Sequence, residues 1–343
     1  MFELADAGTL GFDDERLARI APFLAKTYID SGRLPNAQLV IARDGQPVHY
    51  TKLGSMGDDK RELRDDALFR IASMTKPVTS IAFMQLVEQC EVALEEPVAR
   101  IFPEFADLKV YAGGGGAIPF APGKPASAMR FVDLLTHMSG LTYGLQNRNN
   151  IDAAYRENNF DFARDHLDSD AFIEKLSKLP LEFAPGTGWN YSVSTDVLGV
   201  AVERISGMRL GDYFEKHIFA PLGMTDTHFG VAEGQSERLV DAYAYQPGHA
   251  PKMINAGATS KLNEPGAFDS GGGGLIGTIA DYHRFSTMLL NGGDLDGARI
   301  VSPKTIRLMR TNHLPNNADL TEMSSSLFSE ANNAGTGFGL GFA

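Results

Sequence analysis

The sequence predicts an α/β fold of the α+β type, in which a mainly helical lobe interrupts a lobe that mixes strand and helix. Three observations predict it. Residues 38–50 read as an early hairpin, a long middle stretch carries helix-period segments, and the end of the chain returns to mixed character. The boundaries expected from these patterns are 1–72 and 226–343 for the mixed lobe and 73–225 for the helical one.

Each element follows from local pattern. Residues 13–31 place Leu17, Ile20, Ala21, Leu24 and Ala25 at helical spacing and are expected to form a helix. Residues 38–42 and 47–50 flank Asp44-Gly45, which reads as a hairpin with a glycine turn. Residues 68–72 form a short, mostly apolar approach to Ser73. Ile81, Ala82, Phe83, Met84, Leu86 and Val87 then follow in a segment of helix length with few polar residues, the pattern of a buried helix. Pro77 is tolerated only in a first turn, so it fixes the start of this helix close to Ser73. Cys90, the one cysteine, is expected to be a small buried hydrophobe in the same helix.

Pro97 to Phe105 is a short proline-bounded segment, and residues 111–128 are rich in Gly, Pro and Ala, as in a surface loop. Residues 129–135 resume a helix. Residues 144–170 show little pattern and are expected to wall or cover a pocket. Helices are expected at 171–179, 194–206 and 210–219. Gly271 to Gly274 precede Thr278-Ile279-Ala280-Asp281, a capping-box-like start for a helix that ends near Gly292-Gly293.

At 343 residues the chain can bury a large core, and 43% hydrophobic with 22% charged residues is ordinary for a globular protein. The net charge of −12 argues against a nucleic-acid or anionic-membrane surface. No apolar run reaches transmembrane length, and residues 1–6 lack a basic-then-apolar leader pattern. The expected location is therefore cytoplasmic. There is no Gly-x-Ser-x-Gly, no His-Glu-x-x-His and no cysteine pair, so neither a nucleophile elbow nor a zinc site is indicated and no cofactor is expected. Gly123-Lys124 lacks the spacing of a phosphate loop, and the tetraglycine runs at Gly113 and Gly271 read as turns. His137 is expected to have a structural role at a helix end.

The chemistry concentrates in Ser73-Met74-Thr75-Lys76. Residues three apart share a helix face, so Ser73 and Lys76 point into one space. A serine hydroxyl becomes nucleophilic once a neighbour takes its proton, and a desolvated amine can do so. A helix start also offers unpaired N–H groups and a positive dipole end, where an oxyanion developing beside Ser73 would be stabilised. Tyr191, in Trp189-Asn190-Tyr191-Ser192, is the candidate to relay the proton to a leaving group, because a neighbouring ammonium favours the phenolate.

Six motifs stand in order: Ser73-Met74-Thr75-Lys76; residues 134–141; Phe183-Ala184-Pro185-Gly186; Trp189-Asn190-Tyr191-Ser192; Pro221-Leu222-Gly223-Met224; and residues 270–275. Together they resemble the serine β-lactamase-like superfamily, on its class C β-lactamase and family VIII carboxylesterase branch, over roughly residues 13–343. The resemblance implies a β-lactamase/transpeptidase-like fold, an antiparallel sheet flanked by helices and packed on an all-helical lobe, with the site in the cleft. It implies acylation of Ser73, with Lys76 and Tyr191 as general base and acid, and Trp189, Ser192, Val193, Gly272 and Gly273 around the substrate. The substrate would be a small-molecule ester or β-lactam.

Two departures refine this. Class C β-lactamases carry Tyr-x-Asn, and Val193 stands where that Asn would be, which favours esters. The family also places a Lys-Thr-Gly, His-x-Gly or Trp-Gly-Gly motif on a strand after the segment matching residues 337–343, itself expected to be a strand. The resemblance thus implies a C-terminally truncated chain, with a second oxyanion donor missing and a homodimer or complementing C-terminal fragment as partner. A carboxylesterase on short-chain esters is the leading expectation. The alternatives are a β-lactamase or D-Ala-D-Ala carboxypeptidase, and a non-catalytic penicillin-binding homologue.

Overall fold

The computed structural model describes residues 2–324, 327 and 333–343. The N-terminal helical stretch is broken into α1 (Asp14–Leu17) and α2 (Ile20–Leu24), followed by a wider helical turn over Ala25–Ile29. The single helix expected over 13–31 does not form. Pro22 has no N–H to return to Ala18, so the helix must restart there. The hairpin then forms as β1 (Asn36–Arg43) and β2 (Gln46–Gly54), with Leu39 opposite Thr51 and a register shift between Ile41 and Ala42. Its turn puts Asp44 at φ 52° and Gly45 at φ 76°, the two successive positive values that a tight hairpin demands.

β3 (Phe69–Arg70) leads through a single tight turn, Ala72–Met74, into α3 (Thr75–Glu88). Val78, Ile81, Ala82, Phe83, Met84 and Leu86 are all buried, so α3 is the apolar axis of the molecule, as its sequence predicts. Cys90 behaves otherwise. It lies just past the end of α3 at φ 61° and is exposed, because the helix ends at Glu88 and the chain turns away before reaching it.

α4 (Phe131–Leu135), α5 (Asn150–Glu157) and α6 (Ser169–Leu176) surround this axis. Phe131 meets Phe83 at 5.1 Å between ring centroids. Segment 144–170 is not the patternless cover the sequence implied. The Asn149 side chain caps α5 by accepting from the N–H groups of Ile151 and Asp152, and Ile151, Tyr155 and Phe160 join the core. α7 (Ser194–Ser206) packs along α3, followed by α8 (Leu210–Phe214), a wider turn at Glu215–Phe219, and α9 (Ala220–Leu222).

The last third adds β4 (Ala242–Ala244), β5 (Lys252–Asn255), β6 (Ile276–Gly277), α10 (Ile279–Leu290), β7 (Asp294–Leu295), β8 (Ala298–Arg299), α11 (Pro303–Met309) and α12 (Leu320–Met323). The Thr278 hydroxyl caps α10 by accepting from the Asp281 N–H at 3.2 Å. α10 packs across the hairpin, where a Cβ on Gly45 would lie 2.7 Å from Thr287, so only glycine fits the crossing.

Among the described residues the strands pair as four separate antiparallel twos: β1 with β2, β3 with β6, β4 with β5, and β7 with β8. The strand expected over residues 337–343 is not formed. Its backbone bonds go instead to the end of α11 and the loop after it: Leu340 N–H donates to the Met309 carbonyl at 2.9 Å, and the Phe338 carbonyl accepts from His313 N–H at 2.8 Å. The β3–β6 pair matters most for function. It brings the turn carrying Ser73 beside the glycine turn 271–274, an approach secured by Ile71 N–H donating to the Leu275 carbonyl at 3.0 Å.

Candidate active site

Ser73 sits in the tight turn ahead of α3 and is exposed. The residue before it, Ala72, has φ 45°, a left-handed conformation that a non-glycine residue adopts at a cost in energy. That backbone is held from outside: the Met74 carbonyl accepts from the Tyr282 hydroxyl at 3.1 Å, and the Thr75 hydroxyl accepts from Leu275 N–H at 3.2 Å.

The three polar groups singled out in the sequence converge. The Tyr191 hydroxyl donates to Ser73 Oγ at 2.5 Å, and Lys76 Nζ donates to the same oxygen at 3.2 Å. Lys76 is 5% exposed, so nearly all of its side chain is out of water while Ser73 remains open. Its Nζ also donates to the Gly272 carbonyl at 2.5 Å and lies 4.6 Å from the Tyr191 ring centroid and 5.3 Å from that of Tyr143.

Gly272 and Gly273 divide the work expected of them. Gly272 is buried and meets Lys76 rather than solvent, and a Cβ there would fall 2.3 Å from Asp196 Oδ2. Gly273 is exposed and adjoins Ala72, on the open side of the turn.

Tyr191 is placed by a segment zipped against residues 137–142. Asn190 N–H donates to the His137 carbonyl at 3.0 Å, Val193 N–H to the Thr142 carbonyl at 3.1 Å, and the Asn190 amide to the Leu141 carbonyl at 2.9 Å. From the other side the Gln146 amide donates to the Tyr191 carbonyl at 2.5 Å. His137, at φ 57°, lies tilted at 50° to the Tyr191 ring, 5.1 Å between centroids, and bonds Ser192 Oγ through Nδ1 at 3.1 Å. Burial, with the nearby Lys76 charge adding to it, pushes His137 down to about 3, so the imidazole is neutral and acts as a wedge.

The substrate-contact expectation is corrected for three residues. Trp189, Ser192 and Val193 are 1%, 0% and 0% exposed, because their segment turns inward to make the bonds just described. Ser192 spends its hydroxyl on His137 and Ser194, the latter at 2.7 Å. These residues hold Tyr191 and do not face the opening.

Sequence reasoning missed four supporting residues. Asp196, 3% exposed in the first turn of α7, accepts through Oδ1 from Ser270 Oγ at 2.5 Å and from Gly272 N–H at 3.0 Å. The Tyr143 hydroxyl lies 3.4 Å from Asp196 Oδ2, and the Thr79 hydroxyl donates to the Gly271 carbonyl at 2.7 Å. Tyr282 is the fourth, through its bond to the Met74 carbonyl. Burial raises the Asp196 carboxyl, opposed first by the Lys76 charge and then by the bonds from Ser270 and Gly272. Burial likewise raises the Tyr143 hydroxyl well above its ordinary value, with Asp196 adding to the effect. A usable signal existed for Thr79: it stands three residues after Lys76, on the same helix face.

Among the described residues no group of three or more His, Cys, Asp or Glu side chains could hold a metal ion, and no helix is long and apolar enough to cross a membrane.

Comparison with known proteins places the family and the fold. The family model described as Beta-lactamase matches residues 20–341. The chain is 36% identical over 287 residues to an uncharacterized protein of Mycobacterium tuberculosis, a match covering 83% of this chain and 69% of that one. It is 35% identical over 268 residues to esterase EstB of Burkholderia gladioli, covering 74% and 64% of the two chains. It is 32% identical over 295 residues to a lovastatin esterase of Penicillium rubens, covering 83% and 71%. Among solved structures, EstCE1, described as a hydrolase with promiscuous acyltransferase activity, superimposes with a TM-score of 0.78 at 25% identity over 96% of this chain and 82% of its own.

Proposed function

The chain belongs to the beta-lactamase family of serine hydrolases, and we propose that within it this protein is a carboxylesterase that cleaves short-chain esters through an acyl-enzyme on Ser73. The observation that carries the reading is the position of Ser73 Oγ, 2.5 Å from Tyr191 Oη and 3.2 Å from Lys76 Nζ. Those distances allow a proton to leave the serine as its oxygen attacks.

In the first half-reaction Ser73 Oγ bonds to the ester carbonyl carbon, and its proton passes to the Tyr191 oxygen, which reacts as the phenolate that the Lys76 ammonium favours. The Ser73 N–H meets the oxyanion of the tetrahedral intermediate. The bond to the alcohol oxygen breaks, and that oxygen receives the proton just taken. Water then enters where the alcohol left. Its proton goes to the Tyr191 oxygen, its own oxygen attacks the acyl carbon, and the released Ser73 oxygen recovers a proton. Gly273 lies at the open rim, where the substrate approaches.

Esterase relatives support the choice of ester over lactam, and so does Val193. A buried valine offers no amide to a lactam side chain. The test compares p-nitrophenyl acetate, butyrate and decanoate with nitrocefin on one preparation. Turnover falling with acyl length, and nitrocefin the poorer substrate, is expected. A dominant lactam activity, or decanoate as the best ester, overturns the assignment.

A further inference from the structure

Asp196 is a buried carboxylate that no step above uses. It is reached by neither solvent nor the opening, yet it touches the turn that holds Lys76. Its Oδ1 accepts from Gly272 N–H at 3.0 Å and from Ser270 Oγ at 2.5 Å. The carbonyl of the same Gly272 is the one that receives Lys76 Nζ at 2.5 Å. The carboxylate thus holds the same residue whose carbonyl receives the lysine. Gly272 has no room for a side chain on this face, so the contact is backbone against carboxylate with nothing between them.

The charge inventory around the pair is short. From α3 comes Lys76, with Ser73 before it. From the 189–193 segment comes Tyr191, and from residues 137–143 come His137 and Tyr143, with Asp161 acting on the latter from behind. From α10 comes Tyr282, which bonds the Met74 carbonyl. His137 is neutral, and burial holds the proton on Tyr143 and Tyr282. Among these groups Asp196 is the carboxylate the Lys76 charge acts on most directly, and that charge opposes the effect of burial on it.

We propose that Asp196 is a positioning residue of the acylating centre: as a buried anion it anchors the 270–272 turn and supplies the counter-charge that holds a positively charged Lys76 against Ser73 and Tyr191. This rests on the serine-hydrolase reading. It gives the proton pair a defined electrostatic state, with Lys76 as the cation beside Tyr191. Hydrogen bonding alone would leave that state open.

The experiment follows labelling of Ser73 by a fluorophosphonate as a function of pH, read by intact mass, so it needs no knowledge of the natural ester. Asp196→Asn keeps an oxygen for Gly272 N–H and Ser270 while deleting the charge. It is expected to label at least about tenfold more slowly at the wild-type optimum, with the basic limb of its profile moved to lower pH. Ser270→Ala removes one bond but leaves the anion, and is expected to keep the wild-type profile within about threefold in rate. Asp196→Glu, which restores the charge, is expected to recover the position of the basic limb even if its rate is reduced, and it serves alone should Asp196→Asn not fold.

An Asp196→Asn profile that superimposes on the wild type overturns the inference. So does one lowered equally at every pH, or one whose acid limb moves instead. A displaced limb in Asp196→Glu also overturns it. A wild-type protein that is not labelled removes the serine-hydrolase reading itself, which distinguishes the two failures.

Discussion

His137 gives the molecule a built-in sensitivity to acid that can be calculated and isolated. In the unfolded chain the imidazole titrates near its ordinary 6.5, whereas burial, together with the Lys76 charge, pushes it down to about 3 in the folded protein. As pH falls through 6.5 the unfolded state takes up a proton that the folded state refuses until about 3, so folding becomes less favourable across that window. Integrating the difference between pH 7 and pH 5 gives a loss of about 2 kcal/mol from this one group. His137→Asn is the matching perturbation. Asparagine accepts the left-handed backbone at φ 57°, and its amide can face Ser192 as Nδ1 does, but it does not titrate. Urea unfolding of both proteins at pH 7 and pH 5 provides the assay. The stability difference between wild type and variant should shrink by about 2 kcal/mol, or change sign, on going to pH 5. All other titrating groups cancel in that difference. A wild-type-to-variant difference that is the same at both pH values would refute the claim that His137 is buried and neutral.

The remaining expectations concern the centre directly. Ser73→Ala should abolish fluorophosphonate labelling and ester turnover while changing stability by less than about 1 kcal/mol, since the side chain is exposed; retained turnover would remove Ser73 from the nucleophile role. Tyr191→Phe should lower kcat by about 10²–10⁴ with little change in KM, because it deletes the hydroxyl at 2.5 Å from Ser73 and keeps the ring between His137 and Tyr143; wild-type kcat in this variant would show that Lys76 alone handles the proton. Gly272→Ala should cost about 1–3 kcal/mol in stability and at least about tenfold in kcat, since the new methyl lands 2.3 Å from Asp196 Oδ2 and must displace the turn that receives Lys76; unaltered melting temperature and turnover would contradict the packing described for that turn.

Where a single local rule dominates, the sequence was sufficient. Asp44-Gly45 between two apolar segments specifies a hairpin, Pro77 ahead of a mostly apolar segment specifies a buried helix start, and Thr278 three residues before Asp281 specifies a cap. The illegible parts depended on a partner distant in sequence. Segment 144–170 hides its fold in polar contacts rather than in an apolar repeat. Asp152, fully buried, bonds Thr142 at 2.7 Å and is paired with Arg148, a solution no helix-period count can detect. Cys90 resembled a continuation of the apolar helix, but the helix ends two residues earlier. Residues 189–193 carry aromatic and hydroxyl groups suited to a substrate wall. Pattern alone cannot distinguish that role from holding Tyr191 through backbone bonds to residues 137–142.

The same contrast explains how the site works. The proposed nucleophile, Ser73, is exposed, while the lysine behind it, the carboxylate behind that, and the segment that carries the tyrosine are sequestered. An exposed Lys–Ser pair would be solvated, mobile and worth little, since water screens the charge and the long side chain loses entropy on ordering. Here Lys76 Nζ is confined by two geometric constraints, the Gly272 carbonyl and the aromatic faces of Tyr143 and Tyr191. Each constraint is itself fixed by a second set of bonds, Asp196 to Gly272 on one side and residues 137–142 to 189–193 on the other. On the proposed mechanism the proton machinery would thereby be ordered before substrate arrives, with only Ser73 and the rim at Gly273 left to meet it. Activity should therefore fall on damage to Asp196, Gly272 or Tyr191, though less completely than on loss of Ser73. Damage to the supports should also alter the pH profile, whereas removal of the nucleophile leaves no profile to measure.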